Sequence, residues 1–506
     1  MSRNLALLAE QAVERHGDYD SLFFEGSWHS SGSLDDRARR LGAALVELGI
    51  APGDRVVVLM SNCPEAYIAY TAVWRAGAVL TPAIFLLSPL ELRHLLADSG
   101  ARAVITTPDL AQTVREARAG VDAVEWVVTT GEAGSDELSL AELERAEPGA
   151  IVSRGDAELA ALMYTGGTTG RSKGVMLSHE MLWQAGASGY EASYVPGVTR
   201  GLVTVPLSHA YGMLVTVTAF HAVEPGVQAL LRWFDPVSFL TLVAEHELQS
   251  SAVVPSMLQA LLMCPLEQFE LTTLRYMVCG AAPLPGEVQR ALAERLPALE
   301  LREGYGLTEC CALVSSNPPG RVRAGSVGLP VRGVQVGILD EQDEELPAGE
   351  VGEICCRSPF VMAGYWHDEG LSEETLRSGW LHTGDMGKVD EDGYLYIVDR
   401  KKDLIIRGGF NVFPRDVEDA LLEHAAVVAA GVVGRPDEAR GEEVVAFVVT
   451  APDADASEEE LVAYARERLG GYKYPREITI VSELPLTPVG KVDRKVLRER
   501  ARQGKE

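Results

Sequence analysis

Residues 163–179, MYTGGTTGRSKGVMLSH, carry the densest chemistry in the chain. An apolar run from Glu158 to Tyr164 leads in as a strand, and a second, Val175 to Leu177, leads out. Gly166, Gly167 and Gly170 let the backbone between them curl until several N–H groups point inward. Thr165, Thr168 and Thr169 add hydroxyl donors, and Lys173 adds a mobile cation. That set suits a polyphosphate; a plain linker between two strands needs neither the threonines nor the lysine. It is not the Gly-Lys-Ser/Thr loop that opens a helix, because Lys173 is followed by Gly174 and a strand-like stretch.

Three further segments have chemistry at lower specificity. In GYGLTE (304–309) Tyr305 can stack on a purine, Thr308 can reach a phosphate, and Glu309 offers Mg²⁺ a hard oxygen. The same letters also describe a turn before a helix capped by Thr308. GWLHTGD (379–385) sets Asp385 after a glycine turn, with Asp399–Arg400 at a later strand end, a pairing suited to ribose hydroxyls or to an ordinary β-turn. Lys491, in PVGKVDR, stands on a Pro/Gly loop where a side chain can reach across a gap, or simply be solvated.

The elements that must position these groups are α/β in character. A chain of 506 residues needs two or more domains, and 47% hydrophobic content supports sizeable cores. Up to about residue 150, strands (Val56–Met60, Val104–Thr106, Trp126–Thr129) alternate with amphipathic helices (Leu34–Leu48, Pro89–Asp98). Apolar runs ending in Gly/Ser/His loops follow, the layout that places ligand-contacting loops at strand ends. Residues 326–400 alternate apolar and polar between Gly and Asp turns, which predicts an antiparallel sheet or small barrel. From about 401 a basic turn, a helix (Arg415–Glu423), strands and a second helix (Glu458–Leu469) predict a separate small domain.

Composition excludes several classes. A net charge of −28 repels a nucleic-acid backbone. Seven cysteines with no CxxC point away from a disulfide framework or zinc site and toward a reducing cytoplasm. The N-terminus is an amphipathic helix rather than a signal peptide. The apolar stretch Leu202–Val223, interrupted by Pro206, His209 and Gly212, is a strand–loop–helix and not a membrane span.

The order of the motifs decides among their individual readings. A threonine/glycine loop, then YGLTE, HTGD, DRKKDLIIRGGFNVFP and PLTPVGK strongly resembles the adenylate-forming superfamily, from about residue 30 to residue 500. Acyl-CoA synthetases, peptide-synthetase adenylation domains and firefly luciferase are members. The resemblance implies stacked α/β subdomains plus a small β-barrel over 1–399, and a mobile α+β lid over 400–506. It implies two half-reactions: a carboxylate attacks the α-phosphorus of ATP to give acyl-AMP and pyrophosphate, and a thiol then displaces AMP.

Carried over onto this sequence, Thr165 to Lys173 (Thr165, Gly166, Gly167, Thr168, Thr169, Gly170, Lys173) would bind the β- and γ-phosphates. Gly280, Ala281, Ala282 and Tyr305 would line the adenine site, with Glu303, Gly304 and Gly306 beside them. Thr308 would touch the α-phosphate and Glu309 would hold Mg²⁺. Asp385 and Arg400 would hold the ribose. Lys491 would neutralise charge developing between carboxylate and α-phosphate, and Lys402 would be the hinge. Thr165, Glu309, His209 and Lys491 form the expected catalytic set. His209 is counted there as the group that walls the acyl and pantetheine channels, alongside Tyr211, Met213, Val254 and Gly280, with Gly408 and Gly409 lining the thiol's tunnel. Two departures stand out: Gly166 replaces the usual serine and Ser172 the usual proline.

Substrate class follows from what the pocket segments lack. PLSHAYGM (206–213) has no aspartate to pair an amino acid's ammonium, and SAVVPSMLQALLM (251–263) has no arginine for a second carboxylate. A neutral fatty acid, medium- or long-chain, is expected. The stretch from Glu309 to Gly384 leaves no room for the insertion typical of carrier-loading ligases, so coenzyme A is the expected thiol. An acyl carrier protein is the alternative. ATP and Mg²⁺ complete the expected cofactors, and relatives are commonly homodimers.

Overall fold

The computed structural model describes residues 2–503 apart from 166–171, 438–439, 452–453, 455 and 487–491. It has two compact units. The first comprises Met1–Leu284, Val288–Val336 and Cys356–Leu381; the second comprises Pro285–Glu287, Gly337–Cys355 and His382–Glu506.

The first unit is built on two sheets. One has seven strands in the order Leu138–Ser139, Trp126–Thr129, Ala103–Thr106, Arg55–Leu59, Val79–Ala83, Leu159–Thr165, Lys173–Ser178. Its strands run parallel until the last, which turns back antiparallel. The central strands carry almost no charge along their length because both faces are buried. The other sheet has nine strands, with Arg200–Val203, Ser250–Val253, Tyr276–Cys279 and Glu300–Tyr305 parallel at its centre and short antiparallel strands at both edges. Leu202–Val223 is a strand, a loop and the helix Ala210–Phe220. Among the described residues no helix is long and apolar enough to cross a membrane.

The second unit holds a four-stranded sheet (Gln335–Leu339, Gly352–Arg357, Leu381–Val389, Leu395–Arg400). Its other sheet pairs Phe410–Val412, Ile405–Arg407, Gly441–Thr450 and Val427–Asp437 in order, with Glu477–Ile480 alongside Gly441–Thr450. Helices Pro414–Leu422 and Glu458–Arg468 bury Val417, Leu421, Leu461 and Ala465 in its core. All seven cysteines are outside any disulfide.

A buried imidazole ties the N-terminus into the first unit. His179 is fully buried, and its Nδ1 accepts from the Leu5 N–H at 3.2 Å. Burial, aided by the charge of Arg154, lowers its pKa from 6.5 to about 4. The neutral ring is therefore fully compatible with folding above pH 6.5. Below that the unfolded chain takes up a proton that the folded chain refuses, so stability falls as pH drops from 6.5 toward 4. His179 alone should account for about 3 kcal/mol of that fall. Denaturant unfolding at the two pH values should show a smaller difference for His179→Asn than for the natural chain.

Candidate active site

The threonine/glycine segment is flanked by an antiparallel pair. Strands Leu159–Thr165 and Lys173–Ser178 pair so that Thr165 lies opposite Lys173 at the neck of the loop. Gly166, Gly167, Thr168, Thr169 and Gly170 lie outside the described residues. Packed along the second strand is a segment that the sequence reading passed over, 362–366. Met176 N–H donates to Gly364 O at 3.0 Å and Trp366 N–H to Gly174 O at 2.7 Å, while Tyr365 bridges Val175.

That pairing delivers Tyr365 to the centre of the site. Its hydroxyl donates to Glu309 Oε1 at 2.8 Å, and Lys173 Nζ stands 5.7 Å from the centroid of its ring. Met362 N–H also donates to the Glu309 carbonyl at 2.8 Å. Burial, and then the Glu309 charge, push the Tyr365 phenol far above its ordinary pKa, so it faces the carboxylate as a donor. Glu309 Oε2 accepts no hydrogen bond among the described residues. A hard oxygen donor of that kind is chemically suited to Mg²⁺.

The residues expected to line the purine gather at the carboxyl ends of the central parallel strands, where open α/β sheets bind ligands. Gly280 N–H donates to Val253 O at 3.2 Å, and a side chain added to Gly280 would meet Gly304 O at 3.2 Å and the Tyr211 ring at 3.9 Å. Ala281, next in the chain, has φ +68°, a strained conformation that tends to persist at functional sites. Tyr305 ends its strand largely buried, and Asn317 ties the Glu303 carbonyl from both its N–H and its side-chain amide. Gly306 is required here: a Cβ would sit 2.1 Å from Ala312 O.

One alternative reading of this segment does not hold. Thr308 caps no α-helix; it opens a single 3₁₀ turn, Thr308–Cys310, whose preceding residue is Leu307 with no side-chain cap. Cys311 and Ala312 then take left-handed φ values, +48° and +64°, so the chain reverses instead of continuing as a helix. The reversal frees Thr308 and Glu309 from helical packing.

The residues expected to wall the acyl channel adjoin that group, Tyr211 lying beside Gly280. His209 caps helix Ala210–Phe220, its Nδ1 accepting from Tyr211 N–H at 3.2 Å. Tyr211 donates its hydroxyl to Val278 O at 2.9 Å, so it presents its ring rather than a polar group. Gly212 lets this helix start press against the preceding loop, since a Cβ there would lie 2.1 Å from Pro206 O. Met213 is buried, and Val254 precedes helix Pro255–Leu262.

The second unit brings the expected ribose pair together. Asp385 and Arg400 are register partners, with Arg400 Nε 3.3 Å from Asp385 Oδ1. The buried Glu353, unassigned from sequence, braces both strands: Oε1 accepts from Gly384 N–H at 3.1 Å and Oε2 from Lys401 Nζ at 2.9 Å. His382 Nδ1 is 3.3 Å from Glu353 Oε2 and from Cys355 Sγ. This cluster resembles a metal ligand set, but the Lys401 ammonium already supplies its cation. Burial would raise the Glu353 carboxyl; Lys401 and His382 outweigh it and hold the group below the usual range. Asp399 accepts from Arg400 N–H, Arg415 N–H and Arg494. Lys402 is exposed within the turn Lys401–Asp403. Gly408 and Gly409 form the two-residue turn between Ile405–Arg407 and Phe410–Val412. Lys491 lies outside the described residues.

Comparison with known proteins then becomes decisive. The family model described as AMP-binding enzyme matches residues 9–366, and that of the AMP-binding enzyme C-terminal domain matches residues 416–491. The chain belongs to the AMP-binding enzymes. Among the relatives of this AMP-binding enzyme, a long-chain-fatty-acid–CoA ligase of Escherichia coli O6:H1 is 35% identical over 99% of this chain and 95% of its own length. A feruloyl-CoA synthase of Amycolatopsis sp is 37% identical over 92% of this chain and 93% of its own. The solved structure of the anthranilate CoA ligase AuaEII in complex with anthranoyl-AMP matches with a TM-score of 0.91 at 26% identity, covering 99% of this chain and 97% of that one. The AMP-binding enzyme described here is thus an adenylate-forming ligase with a large N-terminal part and a small C-terminal domain.

Proposed function

We propose that the chain activates a neutral, medium- or long-chain fatty acid to acyl-AMP, releasing pyrophosphate, and then transfers the acyl group to coenzyme A. The observation that carries the acyl class is the uncharged character of the residues at these strand ends. Tyr211 has its hydroxyl turned onto the backbone, and Met213, Val254 and Gly280 add no charge. A second carboxylate or an ammonium buried there would go unpaired.

In this reading Thr165 to Lys173 grips the β- and γ-phosphates, and Tyr305 stacks on adenine beside Gly280, Ala281, Ala282, Glu303, Gly304 and Gly306. Thr308 touches the α-phosphate, and Asp385 and Arg400 hold the ribose. Mg²⁺ held at Glu309 would offset charge on the departing pyrophosphate. Lys491, on a lid comprising residues 400–506 that turns at Lys402, approaches the α-phosphate for the first step. The Gly408–Gly409 turn lines the thiol's path for the second. Phe410, exposed beside that turn and packed at a tilt against Tyr472 with centroids 5.0 Å apart, offers an aromatic surface on the same hairpin.

The feruloyl-CoA relative favours a second reading, an aryl acid in the same apolar pocket. The test is mass spectrometry of products from ATP, Mg²⁺ and acids from acetate to stearate, with ferulate and anthranilate, each with coenzyme A and with a holo-acyl carrier protein. A fatty acyl-CoA is the expected product. An aryl-CoA would move the assignment to the second reading, acyl-carrier protein alone would replace the acceptor, and adenylate without a thioester would sink the thiol-ligase reading.

A further inference from the structure

We infer that Tyr365 is a positioning residue for the metal-bound pyrophosphate, fixing Glu309 and Lys173 relative to each other. This rests on the phosphate and Mg²⁺ roles proposed above for those two residues. The two arrive from distant parts of the chain: Lys173 opens a strand of the seven-stranded sheet, whereas Glu309 sits in a lone 3₁₀ turn. Tyr365 touches both, by its hydroxyl on Glu309 Oε1 (2.8 Å) and its ring beside Lys173 Nζ (5.7 Å). Its own backbone is stitched to the Lys173 strand on either side, through Gly364 and Trp366. The phenol is therefore a rigid spacer of about one side chain's length between the cation at the loop's neck and the carboxylate.

The spacer matters because Mg²⁺ demands near-ideal octahedral geometry. With Oε1 committed to the phenol, Glu309 has a fixed rotamer and presents Oε2 as a single ligand oxygen. Without the hydroxyl the carboxylate can turn, or take a bidentate pose that suits larger cations better. The phenol also has a side-chain hydrogen bond with Thr375, a structural contact whose loss in phenylalanine would not by itself weaken Mg²⁺ binding.

Tyr365→Phe removes the hydroxyl and keeps the ring. Isothermal titration of Mg²⁺ into enzyme saturated with a non-hydrolysable ATP analogue should show affinity weakened about tenfold, the scale of one hydrogen bond to a charged group. The rate of acyl-AMP formation should recover at high Mg²⁺, and thioesterification of supplied acyl-adenylate should be unchanged. In a Glu309→Gln background the same substitution should have no further effect on Mg²⁺ affinity, because the two act as one unit. Mg²⁺ binding equal to that of the natural chain would overturn the inference, as would an equal loss in both half-reactions. The binding measurement needs no acid substrate, so a failure of the proposed fatty-acid activity leaves it intact and separately readable.

Discussion

Lys491→Ala is expected to abolish acyl-AMP formation while leaving transfer from supplied acyl-adenylate to coenzyme A close to that of the natural chain. The reason is electrostatic. As the carboxylate attacks, negative charge grows between its oxygen and the α-phosphate, and a cation aimed there acts only in that transition state. Loss of one such preorganised donor typically lowers kcat by about 10²- to 10³-fold. In the second half-reaction the adenylate already exists and the thiol attacks a carbonyl, so the lysine has no charge to offset. Rapid-quench measurement of each half-reaction separately is the check. Parallel loss of both would remove Lys491 from the proposed role, and loss of neither would make it an ordinary solvated lysine.

How much of the candidate site's arrangement was legible in sequence depends on how local each pairing is. Thr165 and Lys173 declare themselves because one hairpin neck contains both. Asp385 and Arg400 come from adjacent strands whose pairing follows from a short turn region, so their motifs carried most of the geometry. The helix and strand spans were close to those observed wherever the apolar period was strong: Trp126–Thr129 is reproduced, and Pro89–Asp98 stops one residue short of the observed Pro89–Ser99.

What sequence could not show is whatever depends on packing between distant segments. Tyr365 reads as one more aromatic in GYWHDEG until the backbone pairing with Gly174–Met176 places it on Glu309. Glu353 reads as a strand residue in GEICC, yet one of its oxygens steadies the turn before Asp385 and the other the lysine after Arg400. The helix cap suggested for Thr308 failed for a related reason. Threonine is a good cap, but the left-handed Cys311 and Ala312 that end the turn have no signature in residue type. The close approach at Gly306 was equally unread in the sequence, and it leads to the second large effect.

Gly306→Ala is expected to impair both half-reactions together, in contrast to Lys491→Ala. The added Cβ would lie 2.1 Å from Ala312 O and 2.5 Å from Leu313 N, both backbone atoms that no rotamer change can move aside. Relief requires that the turn spanning 306–312 open, and Val314 N–H, which donates to Tyr305 O at 2.8 Å, must follow. Tyr305, Thr308 and Glu309 all ride on that turn. A displacement of about 1 Å in groups that hold a reactant can reduce rate by about 10²-fold. In the proposed reading the nucleotide would occupy their site as ATP in the first step and as the adenylate's AMP moiety in the second, so the loss should fall on both. The clash lies in a local reversal rather than in the sheet core, so far-ultraviolet circular dichroism should be preserved while binding of AMP, followed by equilibrium titration, weakens in step with the rates. Unchanged AMP affinity with full activity would show that the turn can open without carrying Tyr305 and Glu309 with it, and the residues assigned to the nucleotide would then have to be sought elsewhere along the strand ends.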